Sequence, residues 1–454
     1  MLHKVAVLGL LGLLSASGQA AGQADLILVG ATVLTGDSAQ GSSSAIAVAG
    51  DRISAIGPVD EIRRLAGPKT RIVDLAGRSV IPGLIDAHVH LLVAPSTIVD
   101  ESSLRNYERA ALPKVLTGFL SHGITTVRST ADPLPNITEL RDRLDRGELV
   151  GPRLVVTGPT PSSPGGHPAV TVCRNNSFCR QGAVREVENE EQARNVVRDL
   201  VLAKVNAVKV TIDNSIASVR NVPLLSDAAL AALVEDTHRS GRRIIAHVLT
   251  DAATTERLAK MGFDEFVHVP VTSTPSDSSR LAALLAERKM AVTTTLSIWD
   301  AYQDTSGGDR LVWGVPYNPG LRRSFDAALA TTKSFSDAGV RLVVGTDWIE
   351  DSDYARQGDV RLQDARLRPG ARTLHEMELL RNRAGLSPVA VLTAATRNAA
   401  EALGIIESVG TITPGKMADL VILDGDVLQD FSALRRTVAV LKSGRVVSGA
   451  LPTR

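Results

Sequence analysis

The chain has 454 residues, with 50 basic against 49 acidic side chains and a formal net charge of +1. That length exceeds a typical single core, and the charge balance leaves neither a basic stripe for nucleic acid nor an acidic tail. Aromatic residues make up only 3%, which argues against a base-stacking surface as well.

In chain order, the first element stands apart. Lys4 precedes the apolar run Val5-Ala6-Val7-Leu8-Gly9-Leu10-Leu11-Gly12-Leu13-Leu14, and small residues follow to Ala20. A basic start, an apolar core and a small-residue site describe a secretory signal peptide over residues 1–20, cut after Ala20. The run is too short to span a bilayer, and no cysteine lies near the cut to carry a lipid. No later segment has 18 uninterrupted apolar residues, the length that reads as a span. The mature chain is therefore expected in the periplasm or outside the cell, without a membrane partner.

Short β-branched runs broken by Gly and Asp come next: Ala24–Leu34, Ala45–Gly57 and Thr70–Leu75. The C-terminus repeats the style in Gly415–Asp424 and Thr437–Val447. This pattern predicts antiparallel strands with tight turns, and one small β-domain assembled from both chain ends accounts for it. Between the ends, strands alternate with helices, which predicts a parallel sheet. Eight core strands are expected to end near His90, Ser129, Gly158, Ile212, Val248, Val269, Ser297 and Asp347. Helices are expected at Ser226–His238, where Ser226 is a good N-cap, and at Ser387–Thr396, which opens Ser-Pro.

The segment Pro82-Gly83-Leu84-Ile85-Asp86-Ala87-His88-Val89-His90 carries the strongest chemical signal. Strand side chains repeat every second residue, so Asp86, His88 and His90 share one face, with Ile85, Ala87 and Val89 on the other. Two imidazoles so spaced at a strand end can grip one metal ion. Further on, Lys209 sits among Val208, Val210 and Ile212; His247 and His268 end short apolar strands; and Gly345-Thr346-Asp347 ends another. Singly, each has a bland reading: a packed histidine, a solvated lysine, a turn. Together they place six polar groups at the C-terminal ends of successive strands, where a (β/α)8 barrel keeps its chemistry.

The phrase PGLIDAHVH and these groups in this order resemble the amidohydrolase superfamily of metal-dependent hydrolases. The likeness covers nearly the whole mature chain and is closest to the imidazolonepropionase-like branch, which includes binuclear prolidase-like and acyl-amino-acid dipeptidases. The resemblance implies an α/β fold: a TIM-like (β/α)8 barrel over residues 80–405, flanked by a discontinuous β-sandwich from 21–79 and 406–454. It implies His88, His90 and Asp347 as ligands of the more buried metal, His247 and His268 as ligands of the second, and Lys209 as the bridge. An ammonium cannot sit between two cations, but carbon dioxide converts a buried lysine into an anionic carbamate that can. Donor chemistry suits two divalent ions, zinc first, sharing a hydroxide because coordination lowers the pKa of water to about 7. Asp347 is then the proton carrier, general base followed by general acid.

Departures narrow the activity. Deaminase relatives carry a glutamate soon after the fifth-strand histidine, whereas Val248-Leu249-Thr250-Asp251 follows His247 here. Imidazolonepropionase uses one metal and lacks the fourth-strand lysine, so Lys209 argues against that activity. Dipeptidase relatives carry glycines just after the lysine, whereas this chain has Ile212-Asp213-Asn214-Ser215. The expected function is hydrolysis of amide bonds in dipeptides or N-acyl amino acids. The alternatives are cyclic amides, lactones or esters cleaved by the same centre, or a metal-retaining binding protein without turnover, which would not need Asp347.

Pro164-Gly165-Gly166-His167-Pro168 resembles a glycine-glycine-histidine loop of these relatives, and His167 is expected to meet a substrate carboxylate or the developing oxyanion. Arg128 is a second candidate for the carboxylate, with a helix-facing salt bridge as the alternative. His122, His238 and His375 read as helical structure, and His3 leaves with the signal peptide. Cys173 and Cys179, the only cysteines, are expected to form a disulfide in an exported chain. Expected partners are a small-molecule or dipeptide substrate and, with assembly left open, a second copy in a homo-oligomer.

Overall fold

A computed structural model describes residues 23–36, 42–94, 97–213, 222–270, 274–301, 311–312, 315–316, 320–350 and 368–453. The expected signal peptide lies outside the described residues.

The described chain opens with five strands, β1 (Ala24–Val33), β2 (Ser42–Ala49), β3 (Arg52–Gly57), β4 (Ala66–Asp74) and β5 (Ser79–Pro82). Alternation in β1 buries both of its faces. Leu26 and Leu28 join one apolar cluster, and Ile27 and Val29 join another that includes Ile62 of the helix Val59–Arg63.

The middle of the chain supplies parallel strands: β6 (Leu84–His90), β7 (Ile124–Ser129), β8 (Arg153–Val156), β9 (Thr160–Ser162), β10 (Val184–Glu186), β11 (Ala207–Asp213), β12 (Arg243–Leu249), β13 (Glu265–Val267) and β14 (Ala291–Thr293). After two short antiparallel strands, β15 (Leu311–Val312) and β16 (Val315–Pro316), come β17 (Arg341–Val343) and β18 (Trp348–Ile349). One parallel sheet runs β18-β6-β7-β8 and another β11-β12-β13-β14-β17. Backbone bonds tie the two at both ends. Ala87 N–H donates to Val344 (2.9 Å) and Asp347 N–H to His88 (2.9 Å), while Asn206 N–H donates to Val156 (2.8 Å). The strands read as apolar runs because both faces are covered. Val208, Val210 and Ile212 pack with Leu230 and Leu233 of the helix Asp227–Arg239, and Ala207 meets Ile245 and Val267 in a separate cluster.

The chain closes with β19 (Leu420–Leu423), β20 (Thr437–Lys442) and β21 (Arg445–Gly449). They join the opening strands in one sheet of order β21-β20-β19-β5-β1-β2-β3, with β4 beside β1. Both chain ends therefore build a single sheet, through the antiparallel β19–β5 pairing.

Both expected helices are present, each with its serine as N-cap: Ser226 accepts from Ala229 and Ser387 from Ala390. Asp251, four residues after His247, caps the helix Ala252–Met261 by accepting from Thr254 N–H. Three strand ends differ from expectation. The seventh strand stops at Thr293, because the carboxylate of Glu376 captures the N–H groups of Leu296 (2.8 Å) and Ser297 (2.6 Å) and starts a helix there. His268 lies past the end of β13, at φ 69°, and Asp347 lies four residues past β17, at φ 54°.

Alternation along β6 also fails partway. Its register against β7 slips between Asp86 and Val89. Ile85 and Ala87 accordingly pack in one cluster, whereas Val89 joins Leu84 in another. The carboxylate of Asp86 accepts from Thr346 (2.9 Å) and Thr373 (2.7 Å) instead of joining the histidines. Cys173 and Cys179 are joined, with Cα atoms 5.4 Å apart, in a small apolar cluster with Val93, Ala169, Ala183 and Val184.

Candidate metal centre

Six groups from five segments converge at the C-terminal ends of the parallel strands. β6 brings His88, fully buried, and His90, which is partly open. The turn after β17 brings Asp347 between them. Asp347 Oδ1 lies 2.9 Å from His88 Nε2 and 3.0 Å from His90 Nε2, and the three donor atoms fall within 4.8 Å of one another. That turn needs Gly345, because a Cβ there would stand 2.9 Å from the Cβ of His88. Positive φ in a non-glycine residue is strained, and such strain concentrates at functional sites; Asp347, His268 and Thr295 all adopt it.

From β11, Lys209 reaches the same point: Nζ stands 3.1 Å from His88 Nε2 and 3.4 Å from Thr130 Oγ1. Across from it, His247 Nδ1 faces His268 Nε2 at 2.8 Å. The outer nitrogens of this pair are also occupied. His247 Nε2 meets Asp213 Oδ2 at 3.1 Å and His268 Nδ1 meets Thr295 Oγ1 at 2.7 Å.

Burial and hydrogen bonding set the protonation states of these groups. Burial pushes His88 and His247 well below the usual imidazole range and His268 down to about 4, so all three are neutral with lone pairs to offer. Burial also pushes Lys209 down to about 8, against the opposing pull of Asp347. Asp347 goes the other way. Burial raises it, but hydrogen bonds from His88 and His90 outweigh that and hold it well below the usual carboxylate range. Nε2 of His88 is crowded by Asp347, Lys209 and Thr130, while its buried Nδ1 has no hydrogen-bond partner among the described residues. A convergent His-His-Asp set with a neutral His88 and an ionised carboxylate fits a divalent ion.

The two expected substrate contacts part company. His167 stays at the site, its ring 4.8 Å from that of His247, with Nδ1 held by Thr171 Oγ1 at 2.6 Å. The glycines before it serve the loop itself. Gly165 takes φ 69°, and a Cβ on Gly166 would stand 2.6 Å from Ser162 Oγ. Arg128 is turned to other partners. It is fully buried and forks onto Glu265 of β13, with NH1 to Oε2 at 2.8 Å and Nε donating to the carbonyl of Ala87 at 2.8 Å. It is not a helix-facing salt bridge, because Glu265 also accepts from Thr293 of β14. Glu265 lies 137 residues away in sequence, so nothing local to Arg128 signalled this partner. His122, His238 and His375 bond Gly118, Asp264 and Asp300 on or beside helices.

Asp213, Thr130 and Thr295 belong to the site and carried no sequence signal of their own. Asp213 shares the inward parity of Lys209 and Thr211 on β11, which was the available clue.

The amidohydrolase family pattern matches residues 79–447. The adenine deaminase of Rubrobacter xylanophilus is 25% identical over 435 residues, covering 93% of this chain and 57% of the deaminase, so the chain spans little more than half the length of that relative. The imidazolonepropionase of Symbiobacterium thermophilum is 27% identical over 407 residues, 85% of each chain. A crystal structure of a Xaa-Pro dipeptidase with methionine in its active site shares the fold, with a TM-score of 0.73 at 21% identity over 93% of this chain and 99% of that one. With the match running from β5 to β21 and enclosing every group of the centre, the chain belongs to the amidohydrolase family.

Proposed function

We propose that the chain is an exported hydrolase of amide bonds in dipeptides or N-acyl amino acids, working with two divalent metals. One observation carries the reading: His88, His90 and Asp347 face Lys209 and the His247–His268 pair across a single buried pocket. His88, His90 and Asp347 would hold one ion, His247 and His268 the other, and Lys209, as its carbamate, would lie between. Bound there, two ions (zinc by donor chemistry) would supply an acidified water and polarise the scissile carbonyl. The parallel strands form a closed eight-stranded barrel in this reading, with the mixed sheet of the chain ends as its β-sandwich flank. The basic, apolar and small-residue order of residues 1–20 supports a location in the periplasm or outside the cell.

The chain's own groups do the rest. Asp347, ionised at neutral pH, accepts the proton of the attacking water and returns it to the leaving nitrogen. Arg128 and Glu265 cross-link β6, β7 and β13 beneath the site and keep the ligand strands in register. In this reading Thr171 donates to Nδ1 of His167, which puts the ring proton on Nε2, where it can bind the free carboxylate of a C-terminal residue. The dipeptidase with which the chain shares its fold supports this substrate class.

Amidating the C-terminus of a substrate tests the reading. The lost charge-assisted hydrogen bond is worth roughly 1.5–3 kcal/mol, about one to two decades in kcat/KM. His167→Ala should erase most of that discrimination. Equal turnover of free-acid and amidated substrates would favour cyclic amides, lactones or esters instead.

A further inference from the structure

The two histidines assigned to the second ion differ in what stands behind them. Behind His268 is a neutral hydroxyl, Thr295 Oγ1, 2.7 Å from Nδ1. Behind His247 is a carboxylate, Asp213 Oδ2, 3.1 Å from Nε2. Asp213 is only 2% exposed, and it ends the strand that also carries Lys209. With Asp213 ionised, the proton of a neutral His247 sits on Nε2, because a carboxylate ion only accepts. Nδ1 then has a bare lone pair, and it is the atom turned toward His268 Nε2. A carboxylate behind a ligating imidazole fixes tautomer and ring plane and makes the nitrogen more basic.

We infer that Asp213 is the positioning residue of the second metal site: it fixes the tautomer and aim of His247 and thereby sets the affinity of one ion and not the other. The inference rests on the binuclear reading above. The geometry gives the selectivity. Asp213 bonds a nitrogen of His247, whereas His88, His90 and Asp347 are bound to one another on the opposite wall. Removing Asp213 leaves that trio untouched. It frees His247 to take the other tautomer, with a hydrogen on the nitrogen that should bind.

Zinc titration of the full chain against a competing chelator, for wild type, Asp213→Asn and Asp213→Ala, provides the test, with the melting temperature of each metal-free protein alongside. The expected result is two zinc ions in wild type. In both variants one ion should be held as in wild type and the other about 10- to 100-fold more weakly, with the metal-free melting temperature of Asp213→Asn unchanged. Two zinc ions held with unchanged affinities in both variants would overturn the inference and leave the binuclear reading standing. Equal weakening of both ions together with a lower metal-free melting temperature would overturn it too, showing Asp213 to be a structural residue. Fewer than two ions in wild type would remove the binuclear reading itself, and the inference with it.

Discussion

In the proposed mechanism Asp347 combines two duties that oppose each other in a buried carboxylate. A cation ligand must stay ionised, and burial alone would protonate it. A proton carrier must nevertheless be able to accept a proton. The imidazoles of His88 and His90 resolve this by holding the carboxylate well below its usual range while it stays at the mouth of the pocket, 18% exposed. Asp347→Asn keeps the size and one weak donor oxygen but cannot accept the proton. The variant should keep most of its metal and lose about 10²- to 10⁴-fold in kcat, the usual worth of a positioned acid–base group. Steady-state rates measured beside metal content decide this. A variant with near wild-type kcat would mean that another group carries the proton.

One helix, Ala371–Asn382, braces the turns that carry these groups. Thr373 bonds Asp86 of β6, Glu376 organises the turn holding Thr295, and His375 bonds Asp300 of the following helix. One turn further on, Glu378 pairs with Arg435, at 2.7 Å from NH2 to Oε2, and with His375. Burial raises Glu378, but its bonds to His375 and Arg435 prevail and bring it from 4.5 to about 2. A folded-state pKa below the unfolded value adds stability above about 4.5, and that stability is lost as the pH falls toward about 2. The gap in melting temperature between wild type and Glu378→Gln should therefore be full at pH 6 and close progressively across that window. A gap that stays constant down the acid limb would show that the shift does not couple to folding. The sequence showed which strands carry chemistry, because His-x-His and the lone Lys209 stand out against apolar runs of period two. It did not show this brace, nor the slip that sends Asp86 to Thr346 and Thr373, nor the capture of Leu296 and Ser297 that ends a strand early. Each depends on partners roughly 80 to 290 residues apart in the chain, beyond the reach of local periodicity.

At the scale of the molecule, the two ends of the chain hold the strand that carries His88 and His90. β5 leads through Gly83 directly into β6, and β5 is itself paired with β19 from the C-terminus. Arg153 of β8 reaches Asp419 at 2.6 Å, and Lys442 of β20 reaches the carbonyl of Gly151 at 2.8 Å, so the sheet of the chain ends is bolted to the parallel strands at two neighbouring points. This continuity puts His88 and His90 at a fixed distance from a rigid sheet while the remaining ligands come from segments up to Asp347. The β-rich pattern of both termini was readable from composition and turns; one β-domain built from both ends accounted for that pattern, and the resemblance implied the same arrangement. Everything proposed for the function depends on six side chains holding two ions with Lys209 between them. The most direct measurement is a crystal structure of the metal-replete full chain with anomalous scattering recorded at the zinc edge. Two peaks flanking a carboxylated Lys209 are the expected result. A single peak, with Lys209 unmodified and turned away, would contradict it.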